Sequence, residues 1–167
     1  MIDLITVSPD GWLSWGGHHI RAALGRSGVT LDKHEGDGAT PAGTFALRNL
    51  LYRADRLACP ETRLSCAPIA EGAGWSDDPA DPYYNRPVTL PHAFGYERLW
   101  REDGLYDLIV PLGYNDAPPI AGLGSAIFLH VAKPGYLPTE GCVALDLPDL
   151  LALLPECGQE TRLTVTA

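Results

Sequence analysis

The residues with the most reactive chemistry in this chain are one thiol and one imidazole on either side of a short loop. Cys142 lies in Thr139-Glu140-Gly141-Cys142-Val143, and His130 ends the apolar run Ser125-Ala126-Ile127-Phe128-Leu129-His130. A thiol is a strong nucleophile only as its thiolate, and a neighbouring imidazole can take its proton. Gly141 lets backbone approach a substrate closely, so it and Thr139 are candidates, with the amides around Cys142, for holding the oxyanion of a tetrahedral intermediate. The pattern points to acyl transfer through a thioester. The residues alone leave a second reading open, in which a buried cysteine packs as a small apolar side chain beside a structural histidine.

The elements that must position these groups follow from periodicity. Residues 2–7 alternate and are β-branched, which predicts a strand; Ser8-Pro9-Asp10-Gly11 is a turn signal, and Trp12–Trp15 returns as its partner. Residues 19–24 read as another strand or a short helix, 36–43 as a loop rich in glycine, and 44–47 as a strand. The most apolar runs, 107–112 and 125–132, have the length and flanking breakers of buried strands. Asp146 is placed to cap a helix with Pro148 in its first turn, running to about Leu154 and ending at Pro155 or soon after. Residues 161–165 close as a strand. From about 53 to 105 the pattern is irregular and reads as an insertion forming a wall or lid. Fifteen Pro and 18 Gly favour turns and short strands, so the expected class is mainly β with one short helix in the C-terminal half.

At 167 residues the chain is expected to form one domain, 1–167, able to fold without disulfides or metal. A formal net charge of −9 argues against nucleic acid or an anionic membrane surface as partner. The sequence as given starts without a basic, apolar leader, and no run is long and apolar enough to span a bilayer; the expectation is a cytoplasmic protein, or a periplasmic one if a signal has been removed. Cys59, Cys66, Cys142 and Cys157 form no Cys-x-x-Cys pair and are expected to be free thiols; Cys59 and Cys66 would close a small loop in an exported protein. His18, His19 and His34 with Asp37 lack the spacing of a metal site, so neither metal nor other cofactor is expected.

The segment from His130 to Val143 resembles the signature of the L,D-transpeptidase catalytic domain, the YkuD domain: a strand-borne His, a loop, Ser or Thr, usually His or Arg, then Gly-Cys and an apolar residue. Upstream, Ala39-Thr40-Pro41-Ala42-Gly43-Thr44-Phe45 is similar to the family's Thr-Pro-x-Gly-x-Phe segment. The resemblance covers 1–50 and 105–167, and the middle does not align to the general pattern. Glu140 stands where His or Arg is usual, Ala144 where Arg or Asn often follows, and the loop from His130 to Thr139 is short. The first two changes lower the positive charge beside the thiol and leave more of its activation to His130.

The resemblance implies a YkuD-like β-sandwich or mixed sheet and a two-step reaction on peptidoglycan. Cys142 would attack the carbonyl of the third stem residue, releasing D-Ala. His130 would act as base and then acid, its other ring nitrogen held by a backbone carbonyl, to be sought just before Cys142. The expected partner is a peptidoglycan tetrapeptide or muropeptide, and the expected activity is an L,D-carboxypeptidase of wall recycling. The alternatives are an envelope L,D-transpeptidase and an inactive peptidoglycan-binding module. Asn85 and Arg86 are candidates for a substrate carboxylate, or for a surface turn; Glu140 is a candidate for a substrate amine, or a solvated loop acid. Tyr114 and Asn115, with His92, are candidate pocket residues, and Trp75 and Trp100 read as packing or pocket walls.

Overall fold

In the computed structural model, which describes residues 1–167, the alternation at the N-terminus becomes strand β1 (Leu4–Val7), with Ile5 and Val7 buried and Leu4 exposed. β1 pairs antiparallel with β2 (Trp12–Trp15) and parallel with the last strand, β15 (Arg162–Val165), so both ends of the chain lie in one sheet. Its order is β3-β2-β1-β15-β6, with β3 at His18–Arg21 and β6 at Gly43–Ala46. Between them β4 (Val29–Thr30) and β5 (Thr40–Pro41) form a small parallel pair.

The second five-stranded sheet has the order β14-β13-β12-β7-β8. It is built from β7 (Leu50–Tyr52), β8 (Cys66–Pro68), β12 (Leu108–Pro111), β13 (Phe128–Val131) and β14 (Val143–Leu145). Every residue of β12 is buried, because this sheet is covered on both faces. One face meets the first sheet: Val110, Leu129, Val143 and Leu145 pack with Ile5, Leu13 and Leu163 in a core of 23 residues. Each such side chain stabilises the fold by about 1.5–3 kcal/mol relative to exposure. The other face carries Ile109, Phe128 and Cys142 in a second cluster with Ile69, Leu99, Leu105 and Tyr106. The molecule is therefore mainly β, two stacked sheets with additional structure on the outer face of the second.

That additional structure is the segment between β7 and β12. It is not irregular: β8 extends the second sheet, and β9 (Ala73–Ser76), β10 (Pro87–Thr89) and β11 (Tyr96–Arg98) form a separate antiparallel sheet, order β10-β9-β11. Strands this short, divided by proline and acidic turns, give no window long enough to show a period. The buried Arg53 anchors the segment, pairing with Asp55 at 2.8 Å, donating to the Arg101 carbonyl and lying 3.6 Å from the Trp100 ring centroid.

Three other expectations are revised. Residues 22–24 leave β3 and cross to the edge of the second sheet, where Ala23 bridges Ala144 and Gly25 bridges Thr139. The strand expected at 125–132 is shorter, because Ala126 has φ 53 and turns the chain before β13. Helix α1 (Leu147–Leu153) has a proline in its first turn, but the Asp146 side chain makes no capping hydrogen bond. The helical stretch ends where expected, just after Pro155: α1 passes into a 3₁₀ segment, Leu154–Glu156, whose first turn tolerates the missing N–H of Pro155.

Candidate active site

Strands β13 and β14 run parallel, with Leu129 opposite Val143 and His130 opposite Ala144. Leu129 and Val143 point into the core between the sheets, so alternation sends Phe128, His130, Cys142 and Ala144 to the other face. Cys142, the residue just before β14, is a diagonal neighbour of His130 on β13, with Cα atoms ~8 Å apart from strand spacing and rise. Their side chains line one cavity of about 460 Å³. Its walls come from the loop carrying Lys33 and Glu35, the inserted sheet carrying Asp77 and Glu97, and the loop from Lys133 to Glu140.

The thiol does not rest on the imidazole. Cys142 Sγ donates to the Ala126 carbonyl at 3.2 Å and accepts the Phe128 N–H at 3.3 Å. His130 Nδ1 donates to the Val131 carbonyl at 2.8 Å; since a carbonyl only accepts, Nδ1 carries the proton and Nε2 is the basic nitrogen. The carbonyl that holds the ring thus belongs to the residue after His130, not to the residues before Cys142. Burial, with the Arg101 charge adding to it, lowers the His130 pKa to about 4 against the pull of the Val131 and Leu105 carbonyls. Burial raises the Cys142 thiol to about 12; the Glu97 charge adds to this, while the Phe128 N–H, Lys33 and Arg101 oppose it. At neutral pH the pair is an un-ionised thiol and a neutral imidazole.

The loop before the thiol is held by Thr139. Its hydroxyl accepts the Gly141 N–H at 3.1 Å and donates to the Cys142 carbonyl at 2.7 Å. Both expected oxyanion roles change as a result: Thr139 is a loop staple, and the Gly141 amide is already engaged. The Cys142 amide has no hydrogen-bond partner in the chain and is the free donor beside the sulfur. Gly141 has φ 138, and a Cβ there would stand 2.7 Å from the Ala39 carbonyl oxygen. The upstream segment Ala39–Phe45 therefore backs the Gly141–Cys142 turn. It is tied there by Thr40, whose buried hydroxyl accepts the Gly25 N–H at 2.8 Å.

Of the expected substrate residues, only Glu140 borders this cavity, at its exposed rim and paired with Arg26 at 2.9 Å. The pair leaves no net positive charge at this rim. Asn85 closes the expected turn at φ 55, but its side chain is a buried staple. Its Oδ1 accepts Trp75 Nε1 at 2.9 Å and the Ala126 N–H at 3.0 Å, and its Nδ2 donates to the carbonyls of Tyr114 and Asn115. Arg86 is exposed and lines a different cavity of about 290 Å³ with Trp75 and Phe128. Tyr114 donates to the Leu123 carbonyl at 2.5 Å and Asn115 closes the loop to Gly124, so both organise the chain before β13 without reaching the cavity. His92 pairs with Asp81 at 2.6 Å, away from the thiol. Trp75 packs edge-on to Phe128, and Trp100 carries the Arg53 guanidinium. His18 and His19 stack on Trp15 and Trp12, and no group of His, Cys, Asp and Glu is arranged to hold a metal.

Several cavity residues carry no motif in the sequence. Tyr106 packs edge-on to His130, centroids 5.2 Å apart, and its hydroxyl donates to Glu97. Lys33 is buried and paired with Asp37 at 2.5 Å, and Arg101 with Asp103 at 2.5 Å. Glu35, Asp77 and Glu97 are each raised above the ordinary carboxyl range, first by burial; the Asp77 charge adds to Glu35, the Asp77 and Glu35 charges add to Glu97, and the Asp78 charge adds to Asp77. The only advance sign of these residues was that Tyr106 adjoins the apolar run at 107–112.

The model of the L,D-transpeptidase catalytic domain, YkuD, matches residues 8–165, including the middle segment that the motifs leave unaligned. A solved structure, the L,D-transpeptidase from Mycobacterium smegmatis, is similar at 14% identity and a TM-score of 0.46. The match covers 99% of this chain and 59% of that one, so this chain spans less than two thirds of that structure's length. A search among curated proteins finds no match.

Proposed function

Because the chain belongs to the L,D-transpeptidase catalytic domain family, we propose that it is a cysteine peptidase of peptidoglycan stem peptides, working as an L,D-carboxypeptidase. In this reading His130 Nε2 takes the Cys142 proton as the sulfur attacks the carbonyl of the third stem residue. The Cys142 amide faces the developing oxyanion. The C–N bond then breaks, the imidazolium returns its proton to the leaving D-Ala amine, and a thioester remains on Cys142. Water, deprotonated by His130, attacks the thioester, and the thiol leaves with the proton.

The observation that carries this reading is the convergence of Cys142 and His130, from adjacent strands, on one cavity. Its volume of about 460 Å³ lies in the range of a site for one small ligand. That favours a single stem with water as acceptor over two stems held together. The test is incubation of the purified protein with a defined muropeptide tetrapeptide, with products read by mass. Tripeptide and free D-Ala are expected, and both are lost in Cys142→Ala. Cross-linked dimers without tripeptide would overturn the hydrolytic assignment in favour of a transpeptidase.

A further inference from the structure

The charges in the cavity are unevenly compensated. Its buried cation Lys33 is paired with Asp37, and Arg101 is paired with Asp103. Lys133 is exposed. Glu35, Asp77 and Glu97 face the same space and make no ion pair at all. Burying a carboxylate without a counter-ion is costly, so a cleft built this way favours a ligand that brings the cation.

Among the three, Glu97 has a fixed place relative to the chemistry. It projects from β11, and one of its oxygens accepts the Tyr106 hydroxyl. The Tyr106 ring stands edge-on to both His130 and Phe128 and packs in the same cluster as Cys142. The carboxyl is thus tethered through one side chain to the wall that holds the thiol and the imidazole.

We propose that Glu97 is the specificity-determining residue of this site, binding a free primary ammonium on the substrate beside the carbonyl that Cys142 attacks. The proposal rests on the reading of Cys142 and His130 as the reacting pair, and it assigns the residue that selects for an unsubstituted amine near the scissile bond. Glu35 and Asp77 deepen the negative field on the same wall. Ammonium binding has a second effect. The Glu97 charge disfavours the Cys142 thiolate, and a bound ammonium cancels that charge. The correct substrate thereby eases ionisation of the nucleophile that cleaves it.

The test uses two tetrapeptides differing only in whether the side-chain amine of the third residue is free or acetylated. Turnover is measured on the native protein and on Glu97→Gln, which keeps an oxygen for Tyr106. Binding is measured by calorimetry on Cys142→Ala, with and without Glu97→Gln. A charge-assisted hydrogen bond predicts that the free amine is favoured by about 10- to 100-fold in both kcat/KM and affinity. Glu97→Gln is expected to bring the two peptides within about threefold of each other. Equal use of both peptides by the native protein overturns the proposal while leaving the peptidase reading intact, and needs no variant to be folded. A preference that survives Glu97→Gln also overturns it. If neither peptide is cleaved, yet Cys142→Ala binds the free amine more tightly through Glu97, the peptidase reading fails and the ammonium site stands.

Discussion

Iodoacetamide alkylation of the intact protein measures directly whether the nucleophile rests as a thiol. The Cys142 thiol is raised from 9.0 to about 12, chiefly by burial. Three decades separate those values, so at about pH 8 Cys142 holds roughly a thousandfold fewer thiolates than an ordinary cysteine. Cys59 is exposed and serves as the internal standard in the same sample. Peptide-resolved mass spectrometry over a time course should show Cys59 modified first and Cys142 slower by about 10³-fold, with restricted access adding to the difference. Because the sulfur donates to the Ala126 carbonyl and not to the imidazole, His130→Ala should leave this slow alkylation nearly unchanged. The same substitution should lower tetrapeptide turnover by about 10²- to 10⁴-fold, since there the base is needed. Cys142 alkylation as fast as that of Cys59, slowed by His130→Ala, would refute the reasoning. It would mean that the pair rests as thiolate and imidazolium and that burial does not control its ionisation.

Three further outcomes follow from the same geometry. The His130 pKa is about 4 in the folded protein against an ordinary 6.5, so the unfolded chain binds the extra proton between those values. Stability should therefore fall by about 3 kcal/mol as pH drops from 6.5 to 4, and urea titrations of His130→Gln should lack that part of the slope. Gly141→Ala forces a side chain into φ 138 and 2.7 Å from the Ala39 carbonyl oxygen; it should cost about 2–4 kcal/mol in urea unfolding and lower turnover. Asn85→Ala strands the Trp75 and Ala126 N–H groups and two carbonyls, which should destabilise the protein by about 3 kcal/mol or more in thermal unfolding.

The sequence shows the two groups that meet in the cavity because each belongs to a short contiguous pattern. His130 ends an apolar strand, and Cys142 follows the one residue type that tolerates the backbone at 141. The inner strands β1 and β15 of the first sheet are equally legible, since four residues suffice to show their alternation. The segment Ala39–Phe45 can be recognised, but its purpose emerges only in the folded chain, where Ala39 lies against Gly141. Asn85 is legible only in part: an amide between Tyr and Arg, with φ 55, has the composition of the turn it closes, but not of a buried side chain. Its burial depends on Trp75, Tyr114 and Ala126, which are distant in sequence.

The cavity walls are hidden for the same reason. Lys33, Glu35, Asp77, Glu97 and Arg101 come from separate loops and short strands, and no local spacing ties them to His130 or Cys142. Two parallel strands present the reacting pair, while most of the charge around that pair comes from the inserted sheet and the loop before β5. Within that charge Glu97 opposes ionisation of the thiol while Lys33 and Arg101 favour it, and burial outweighs them and holds both partners neutral. A site arranged in this way gains reactivity when a ligand supplies the missing positive charge. Selectivity and nucleophile ionisation then become one electrostatic event, governed by residues outside the motif that first draws attention to the cysteine.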